Sequence, residues 1–163
     1  MSAKDAYQGN LQNWSDMQAH LPMLYEAAKG NCLEIGVRNG MSTSALLAGI
    51  EDHGGHLWSV DINDCNLFAG HPQWTFRNGN SLLRNQVPDV AEFEVVLIDG
   101  DHTFYGAMTD LDLYGRRGKR VFVHDTDCPD TYPGVRKAVE QFIAETHRPV
   151  IWHHGSFGMA EIQ

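Results

Sequence analysis

The chain has 163 residues, 42% of them hydrophobic and 20% charged, which is typical of a folded globular domain and excludes an intrinsically disordered chain. Its formal charge of −9 argues against an extended nucleic-acid-binding surface, which needs clustered lysine and arginine. Three widely spaced cysteines indicate neither a disulfide framework nor a structural zinc site, and no apolar stretch is long enough to cross a membrane. We expect one cytoplasmic domain over residues 1–163, in which residues 1–13 form a flexible or capping segment.

Short apolar runs alternate with segments of helical periodicity along the chain. The apolar runs that predict buried strands are residues 32–35, 57–60, 95–98, 121–123 and 150–152. The segments that predict helices are residues 15–29, 42–51, 81–86, 103–114 and 134–145. This alternation predicts an α/β fold with βαβ units and a mainly parallel sheet. Residues 157–162 follow the last run so closely that we expect an antiparallel hairpin at the C-terminal end.

A glycine-containing loop follows the first predicted strand, in the run CLEIGVRNGMST. Gly36 and Gly40 bracket this turn, and Ser42 or Thr43 can begin the next helix. Taken alone, the pattern also fits an ordinary turn between a strand and a helix. Arg38 stands where a GxGxxG motif has its middle glycine, which weakens a dinucleotide interpretation because that glycine admits the pyrophosphate.

Polar residues also follow the second predicted strand and the end of a further strand at WTFRNGNSLL, which makes the run 95–98 the fourth strand. The second strand ends in SVDIN, which places Asp61 at the distance from the loop where an acid accepts hydrogen bonds from both ribose hydroxyls. Asn80 and Ser81, in WTFRNGNSLL, offer polar groups that suit the edge of an adenine ring. Alternatively, Asp61 is a turn residue at the end of a strand, and Asn80 and Ser81 form a helix cap. Together with the loop, these positions favour a nucleoside ligand.

The motifs LEIGVRNGMST, SVDIN, VVLIDGDHTFYGAMTDLDLY and VFVHDT resemble those of class I S-adenosylmethionine (SAM)-dependent methyltransferases over about 130 residues. Within that family the sequence is most similar to small metal-dependent O-methyltransferases, including sugar-modifying enzymes of antibiotic pathways. The resemblance implies a Rossmann-like doubly wound sheet of seven strands in the order 3-2-1-4-5-7-6. The cofactor-binding residues implied for SAM are Glu34, Gly36, Val37, Gly40, Ser42, Asp61, Ile62, Asn80, Ser81 and Asp99.

Acidic residues follow the fourth and fifth predicted strands, in LIDGDH and VHDTD. Asp99 and Asp125 should face each other there, because neighbouring strands lie about 4.8 Å apart. Two close carboxylates repel unless a proton or a cation lies between them, and their oxygen atoms suit Mg²⁺. The resemblance supports both as metal ligands, but Thr126 stands where relatives have a third ligand, so Asp127, His124 or water would have to supply it. His102 or His124 could remove a proton from a substrate.

We therefore expect methyl transfer from SAM to a hydroxyl of a small-molecule acceptor, with Mg²⁺ as a candidate second cofactor. The expected catalytic residues are Asp99, His102 and Asp125, with His102 as the base. The short segment before the first predicted helix implies either an open site or one covered by a second subunit, so a homo-oligomer is expected as one arrangement. A non-catalytic SAM-binding module and, more remotely, a nicotinamide-dependent oxidoreductase are the alternatives.

Overall fold

A computed structural model describes residues 2–83, 86–87 and 89–163 of the chain. Its strands are β1 (Gly30–Ile35), β2 (Gly55–Asp61), β3 (Trp74–Asn78), β4 (Phe93–Ile98), β5 (Gly118–His124), β6 (Val150–His153) and β7 (Met159–Ile162). Its α-helices are α1 (Ala3–Asn10), α2 (Leu21–Ala27), α3 (Met41–His53), α4 (Phe104–Leu113) and α5 (Pro133–Thr146). Short 3₁₀ turns occupy Gln18–His20 and Gly115–Arg117.

All seven strands form one sheet in the order β3-β2-β1-β4-β5-β7-β6, which confirms the expected topology. Strands β1 to β5 pair in parallel, while β7 runs antiparallel to both β5 and β6. The predicted C-terminal hairpin is therefore present, and β7 inserts between β5 and β6. Because β1, β4 and β5 are parallel neighbours, the residues after their last positions lie side by side at one edge of the sheet.

Helices cover both faces of the sheet, as a doubly wound fold requires. The first three helices pack on one face against inward-pointing residues such as Cys32, Leu57 and Val95. Helices α4 and α5 pack on the other face, where Leu33 and Val96 lie in the core. Neighbouring strand residues thus point to opposite faces, and both faces are buried, which explains the nearly continuous apolar runs in the sequence.

The N-terminal segment folds into α1, which begins with a capping box. The Ser2 hydroxyl accepts a hydrogen bond from the Asp5 amide at 3.1 Å, and the Asp5 carboxylate accepts one from the Ser2 amide at 3.4 Å. The helix packs on α3, where the Asn10 side chain donates to the Ser44 hydroxyl at 3.0 Å. The structure therefore gives residues 3–10 a defined helical packing.

One helix prediction is wrong in its bounds, and a second falls where the described residues form no helix. The helix predicted at 15–29 begins only with the turn at Gln18–His20, and α2 has Pro22 in its first turn. Proline has no backbone N–H and clashes with the preceding turn, so the predicted helix would have placed it in a forbidden interior position. The described part of segment 81–86 forms a turn and bends instead of a helix, with the Leu82 amide bonded to the Asn80 side chain; residues 84 and 85 lie outside the described ranges.

Candidate active site at the carboxyl edge of the sheet

The loop between β1 and α3 depends on glycine at two positions. Gly36 has φ +91°, and a Cβ atom there would lie 2.1 Å from the carbonyl oxygen of Asp99. Gly40 has φ +72° and directly precedes α3, where a Cβ would lie 2.7 Å from the Leu67 side chain. Both positive φ values disfavour a side chain, and at Gly36 the backbone carbonyl excludes one on steric grounds as well. Gly36 also brings the loop backbone into contact with the end of β4.

Asp61 fastens this loop to the end of β2. Its Oδ2 atom accepts hydrogen bonds from the backbone amides of Val37 at 2.8 Å and Arg38 at 3.0 Å, while Oδ1 accepts one from Asn63 at 2.8 Å. Burial opposes ionisation of this carboxyl, but the three backbone N–H groups outweigh it and lower the pKa of Asp61. Asp61 is therefore a carboxylate that orients the loop, a role that the sequence pattern did not predict.

Glu34 lies beneath the loop and is completely buried. Its carboxylate accepts hydrogen bonds from the hydroxyls of Ser42 at 2.6 Å, Thr43 at 2.8 Å and Ser59 at 2.6 Å. Burial raises the pKa of Glu34 to about 7 in spite of these donors. The geometry gives Glu34 an internal position that holds β1, β2 and the start of α3 together.

A cavity of about 400 Å³ opens between the loop, the end of β2 and the segment after β3. Its volume lies in the range of small-molecule sites. The predicted cofactor residues that line it are Gly36, Asp61, Ile62, Asn80, Ser81 and Asp99. The structure thus brings together six of the ten residues predicted to bind the cofactor.

A smaller cavity of about 180 Å³ adjoins the first and shares Arg38 and Asp99 with it. Val37 and Ser42, also predicted to bind the cofactor, line this second cavity, whereas Glu34 and Gly40 line neither. Residues 13–17 complete its wall. Asp16 in this segment binds Arg38 through a contact of 2.9 Å. Sequence reasoning did not place this segment beside the loop, because only the fold brings the two together.

Asp99, His102 and Asp125 form a cluster in which one potential ligand atom from each side chain lies within 4.8 Å of the others. His102 Nε2 lies 2.8 Å from Asp125 Oδ2 and 3.5 Å from Asp99 Oδ1. The predicted catalytic residues therefore meet at one point, between the ends of β4 and β5. Asp99 and His102 also line the 400 Å³ cavity, so the cluster lies at its wall.

His124 supports the two carboxylates from the interior. Its Nδ1 lies 3.3 Å from Asp99 Oδ1 and 3.4 Å from Asp125 Oδ1, while Nε2 lies 3.0 Å from the carbonyl oxygens of Asp16 and Ser156. Every neighbour of the two ring nitrogens is an acceptor, so both nitrogens carry protons. Burial disfavours this charge, yet the hydrogen bonds to Asp125 and Asp99 raise the pKa of His124 to about 11.

The cluster also fixes the charge of His102 and Asp125. Hydrogen bonds to Asp125 and Asp99 raise the pKa of His102 to about 9. Burial disfavours ionised Asp125, but its bonds to His102 and His124 outweigh that and lower its pKa. At neutral pH His102 is thus an imidazolium, and it must lose a proton before it can act as the expected base.

Asp125 has further signs of a specialised position. Its backbone lies in the left-handed region at φ +63°, a conformation that costs energy for a residue with a side chain. Its buried Oδ1 atom has a long contact of 3.4 Å with His124 Nδ1, and the buried hydroxyl oxygen of Thr126 makes no hydrogen bond within the described ranges. Buried polar atoms normally have partners, so these atoms mark unused bonding capacity at the cluster.

Comparisons with known proteins place this geometry in a family. The structure resembles the S-adenosylhomocysteine (SAH)-bound methyltransferase PaMTH1 of Podospora anserina, with a TM-score of 0.67 at 14% identity over 99% of this chain and 86% of that one. It also resembles an O-methyltransferase from Bacillus cereus in complex with SAH, with a TM-score of 0.64 at 18% identity over 98% of this chain and 89% of that one.

A third similar structure is the O-methyltransferase TomG from Streptomyces achromogenes in complex with SAM, with a TM-score of 0.57 at 18% identity over 98% and 87% of the two chains. Comparison with curated protein sequences gave no match. No helix within the described ranges has the length and apolar character needed to span a membrane. The family model described as "Methyltransferase domain" matches residues 33–126, which is more than half of the chain. The chain therefore belongs to the methyltransferase-domain family and has the class I SAM-dependent methyltransferase fold.

Proposed function

We propose that this protein transfers the methyl group of SAM to a hydroxyl of a small-molecule acceptor. The observation that carries the proposal is that Asp99 and His102 line the 400 Å³ cavity and at the same time belong to the cluster with Asp125. A methyl donor in that cavity would therefore lie beside groups able to hold a hydroxyl. Holding two reactants in a near-attack arrangement can supply much of the acceleration of such a reaction.

The residues that line the two adjoining cavities suit the parts of SAM, which when bound supplies an electrophilic methyl group. Asp61 is ionised and lines the larger cavity, so it can accept hydrogen bonds from the ribose hydroxyls. Asn80 and Ser81 offer polar atoms to the adenine at the other end. Val37 and Ser42 border the smaller cavity, where we place the methionine part. Glu34 then acts through Ser42 and Thr43 as a positioning residue.

The cluster fits a divalent cation. Asp99, Asp125 and His102 can offer two carboxylates and an imidazole, and the long 3.4 Å contact of Asp125 Oδ1 with His124 Nδ1 leaves this oxygen capacity for a further bond. A cation held there would lower the pKa of an acceptor hydroxyl. Mg²⁺ is the ion expected from the sequence, but an imidazole ligand makes a first-row transition ion such as Mn²⁺ the better match. His102 would then serve as the third metal ligand, in place of the residue for which this chain has Thr126.

His102 has a second role in this proposal when no cation is bound. Its Nε2 proton is held by Asp125 at 2.8 Å, and loss of that proton would leave an imidazole at the cavity wall. The imidazole could then accept the proton of an acceptor hydroxyl as a general base. The carboxylates of Asp99 and Asp125 would hold the resulting imidazolium.

The proposal also includes a cellular location and an oligomeric state. The three cysteines are free thiols in the described structure, which supports a cytoplasmic location with reducing conditions. Trp14, which lines the smaller cavity, and Tyr105, in the first turn of α4, are 84% and 81% exposed. Large exposed apolar side chains beside a site are consistent with a homo-oligomer in which a second subunit covers it.

Calorimetric titration with SAM, SAH and NAD⁺, followed by a methyl-transfer assay over a panel of hydroxyl acceptors, tests the proposal. We expect SAM and SAH to bind and NAD⁺ to have no effect. Asp99→Asn should reduce methyl transfer at least about 100-fold, while the exposed control Asp130→Asn should leave it unchanged. Absence of SAM binding, or full transfer activity in Asp99→Asn, would contradict the proposal.

A further inference from the structure

A third cavity of about 700 Å³ lies on the other side of the cluster from the loop. It shares Asp101 and His102 with the 400 Å³ cavity and is otherwise built from the beginnings of α4 and α5. These two helix beginnings approach closely, because a Cβ on Gly134 would lie 2.2 Å from the backbone nitrogen of Phe104. His102 therefore stands between the cofactor cavity and a second, larger opening.

The walls of this larger opening are mainly aromatic and apolar. Phe104, Tyr105, Tyr132 and Pro133 line it. The Tyr132 ring stacks on the His102 imidazole with the ring centres 4.2 Å apart and the planes inclined by 23°. Aromatic walls of this kind favour a flat ligand, because ring faces pack against ring faces. The stacked pair also presents the His102 ring edge at a defined orientation.

Lys137 brings a positive charge to this opening in a protein whose formal charge is −9. It is the single lysine or arginine among the lining residues. Its neighbour Arg136 pairs with Asp127 and Glu140, whereas no carboxylate within the described ranges lies within salt-bridge distance of Lys137. The charge of Lys137 is thus available to a ligand, and an anionic group is what it would attract.

We propose that the 700 Å³ cavity is the acceptor site and that the acceptor is a flat aromatic hydroxy compound with an anionic substituent. The hydroxyl faces His102 and the cluster, the ring packs against Tyr132, and the anionic group contacts Lys137. This inference rests on the proposed methyl transfer and adds the substrate class. Lys137 is its specificity-determining residue, because it is the lysine of this wall without a salt bridge to any described residue, and the anionic group would lie at its end of the cavity, away from the Asp101 carboxylate.

The test uses two probes that differ in one group, 3,4-dihydroxybenzoate and 3,4-dihydroxybenzyl alcohol. Each is titrated by ligand-observed NMR into the protein, with and without saturating SAH. We expect the carboxylate to bind more tightly than the alcohol. Lys137→Gln should weaken the carboxylate about fivefold, the upper range for an exposed ion pair, and leave the alcohol unchanged. Lys29→Gln is the matched control, because Lys29 is exposed and precedes β1 at the opposite edge of the sheet.

Three results would overturn the inference. They are equal binding of the two probes, an unchanged preference in Lys137→Gln, and no binding of either probe at about 10 mM, where a millimolar Kd is measurable. The SAH titration separates this inference from the proposed function. If the protein binds SAH and methylates other acceptors but fails the probe test, only the proposed acceptor class is wrong. If it binds no SAH, the proposed function is wrong.

Discussion

His102 Nε2 lies 2.8 Å from Asp125 Oδ2 and joins the loop after β4 to the end of β5. Neither residue could reach the other without the parallel pairing of these strands, in which Ile98 is opposite Val123. The pair places an imidazolium and a carboxylate at the wall shared by two cavities. Replacing one partner of this contact therefore tests the charge state of the site.

Replacing Asp125 should lower the pKa of His102. Hydrogen bonding to Asp125 is the main reason that this pKa lies at about 9 and not at the ordinary 6.5. Asp125→Asn removes the negative charge, so we expect the pKa to fall by about one unit or more, with Asp99 still raising it. NMR titration of the His102 ring measures this change. Asp130→Asn is the exposed control, and an unchanged value in Asp125→Asn would mean that the contact does not hold the proton.

Binding of Mn²⁺ should become tighter as the pH rises. A cation that takes His102 as a ligand displaces its proton, and with the pKa of His102 at about 9 that proton is present at neutral pH. The apparent affinity should therefore increase about tenfold per pH unit below that value for one displaced proton. Calorimetry in buffers of different ionisation enthalpy counts the released protons. Affinity that is independent of pH would show that His102 is not displaced.

Asp61→Asn should weaken SAH binding by about tenfold or more, because hydrogen bonds to a charged group are worth about 1.5–3 kcal/mol. The amide keeps one acceptor oxygen but cannot serve the amides of Val37, Arg38 and Asn63 together with a ligand. Asp64→Asn, an exposed position nearby, is the matched control. Equal SAH affinity of Asp61→Asn and wild type in calorimetry would remove Asp61 from the cofactor site.

Gly36→Ala should destabilise the fold by at least about 2 kcal/mol in the free energy of unfolding, measured by urea denaturation. The alanine would be strained at φ +91° and its Cβ would lie 2.1 Å from the Asp99 carbonyl oxygen. Gly9→Ala is the control, since a Cβ there meets nothing within 4 Å and the residue lies in α1. We expect that variant to match or slightly exceed wild type, and similar losses in both would refute the steric argument.

Asp110 on α4 should make stability depend on pH. Both of its carboxylate oxygens are buried, and burial raises the pKa of Asp110 from 3.8 to about 7 although a hydrogen bond with Ser81 opposes the shift. Between these values the folded state binds more protons than the unfolded state. The free energy of unfolding should therefore fall as the pH rises through this window, by up to about 4 kcal/mol.

The variant Asp110→Asn isolates this contribution, because its side chain does not titrate. Urea denaturation of both proteins at several pH values should show a smaller decrease for the variant, and wild type should lose stability relative to it as the pH approaches 7. Glu34 changes stability in the same direction, but it is present in both proteins and cancels in the difference. Parallel pH profiles would show that Asp110 titrates normally.

Much of the sheet and the location of the site follow from local patterns. Val95 to Ile98 form a short apolar run that favours a buried strand, so the polar residue Asp99 that follows it is expected at the edge where β1 and β5 also end. The same reasoning places Asp61 and Asp125. Strand ends are readable because burial on both faces demands continuous apolar sequence, which stops where the chain reaches solvent or a ligand.

Contacts that join distant segments could not be predicted in this way. His124 lies beside carbonyl oxygens of Asp16 and Ser156, which come from opposite ends of the chain, and no spacing rule connects them. The hydroxyl of Ser59 on β2 likewise reaches Glu34 only through the register of the sheet. The charge of His102 was also unpredictable, because it depends on the distances to two carboxylates and not on the residue types alone.

The contact between Gly36 and the Asp99 carbonyl has a thermodynamic consequence. One side of it belongs to the cofactor loop and the other to the residue proposed to hold a cation, so a ligand that moves either side moves the other. Coupling of this kind is reciprocal: whatever factor SAH contributes to Mn²⁺ affinity, Mn²⁺ must contribute to SAH affinity. The total free energy of binding SAH and Mn²⁺ is then the same whichever binds first. A preferred order of binding can arise only from their rates.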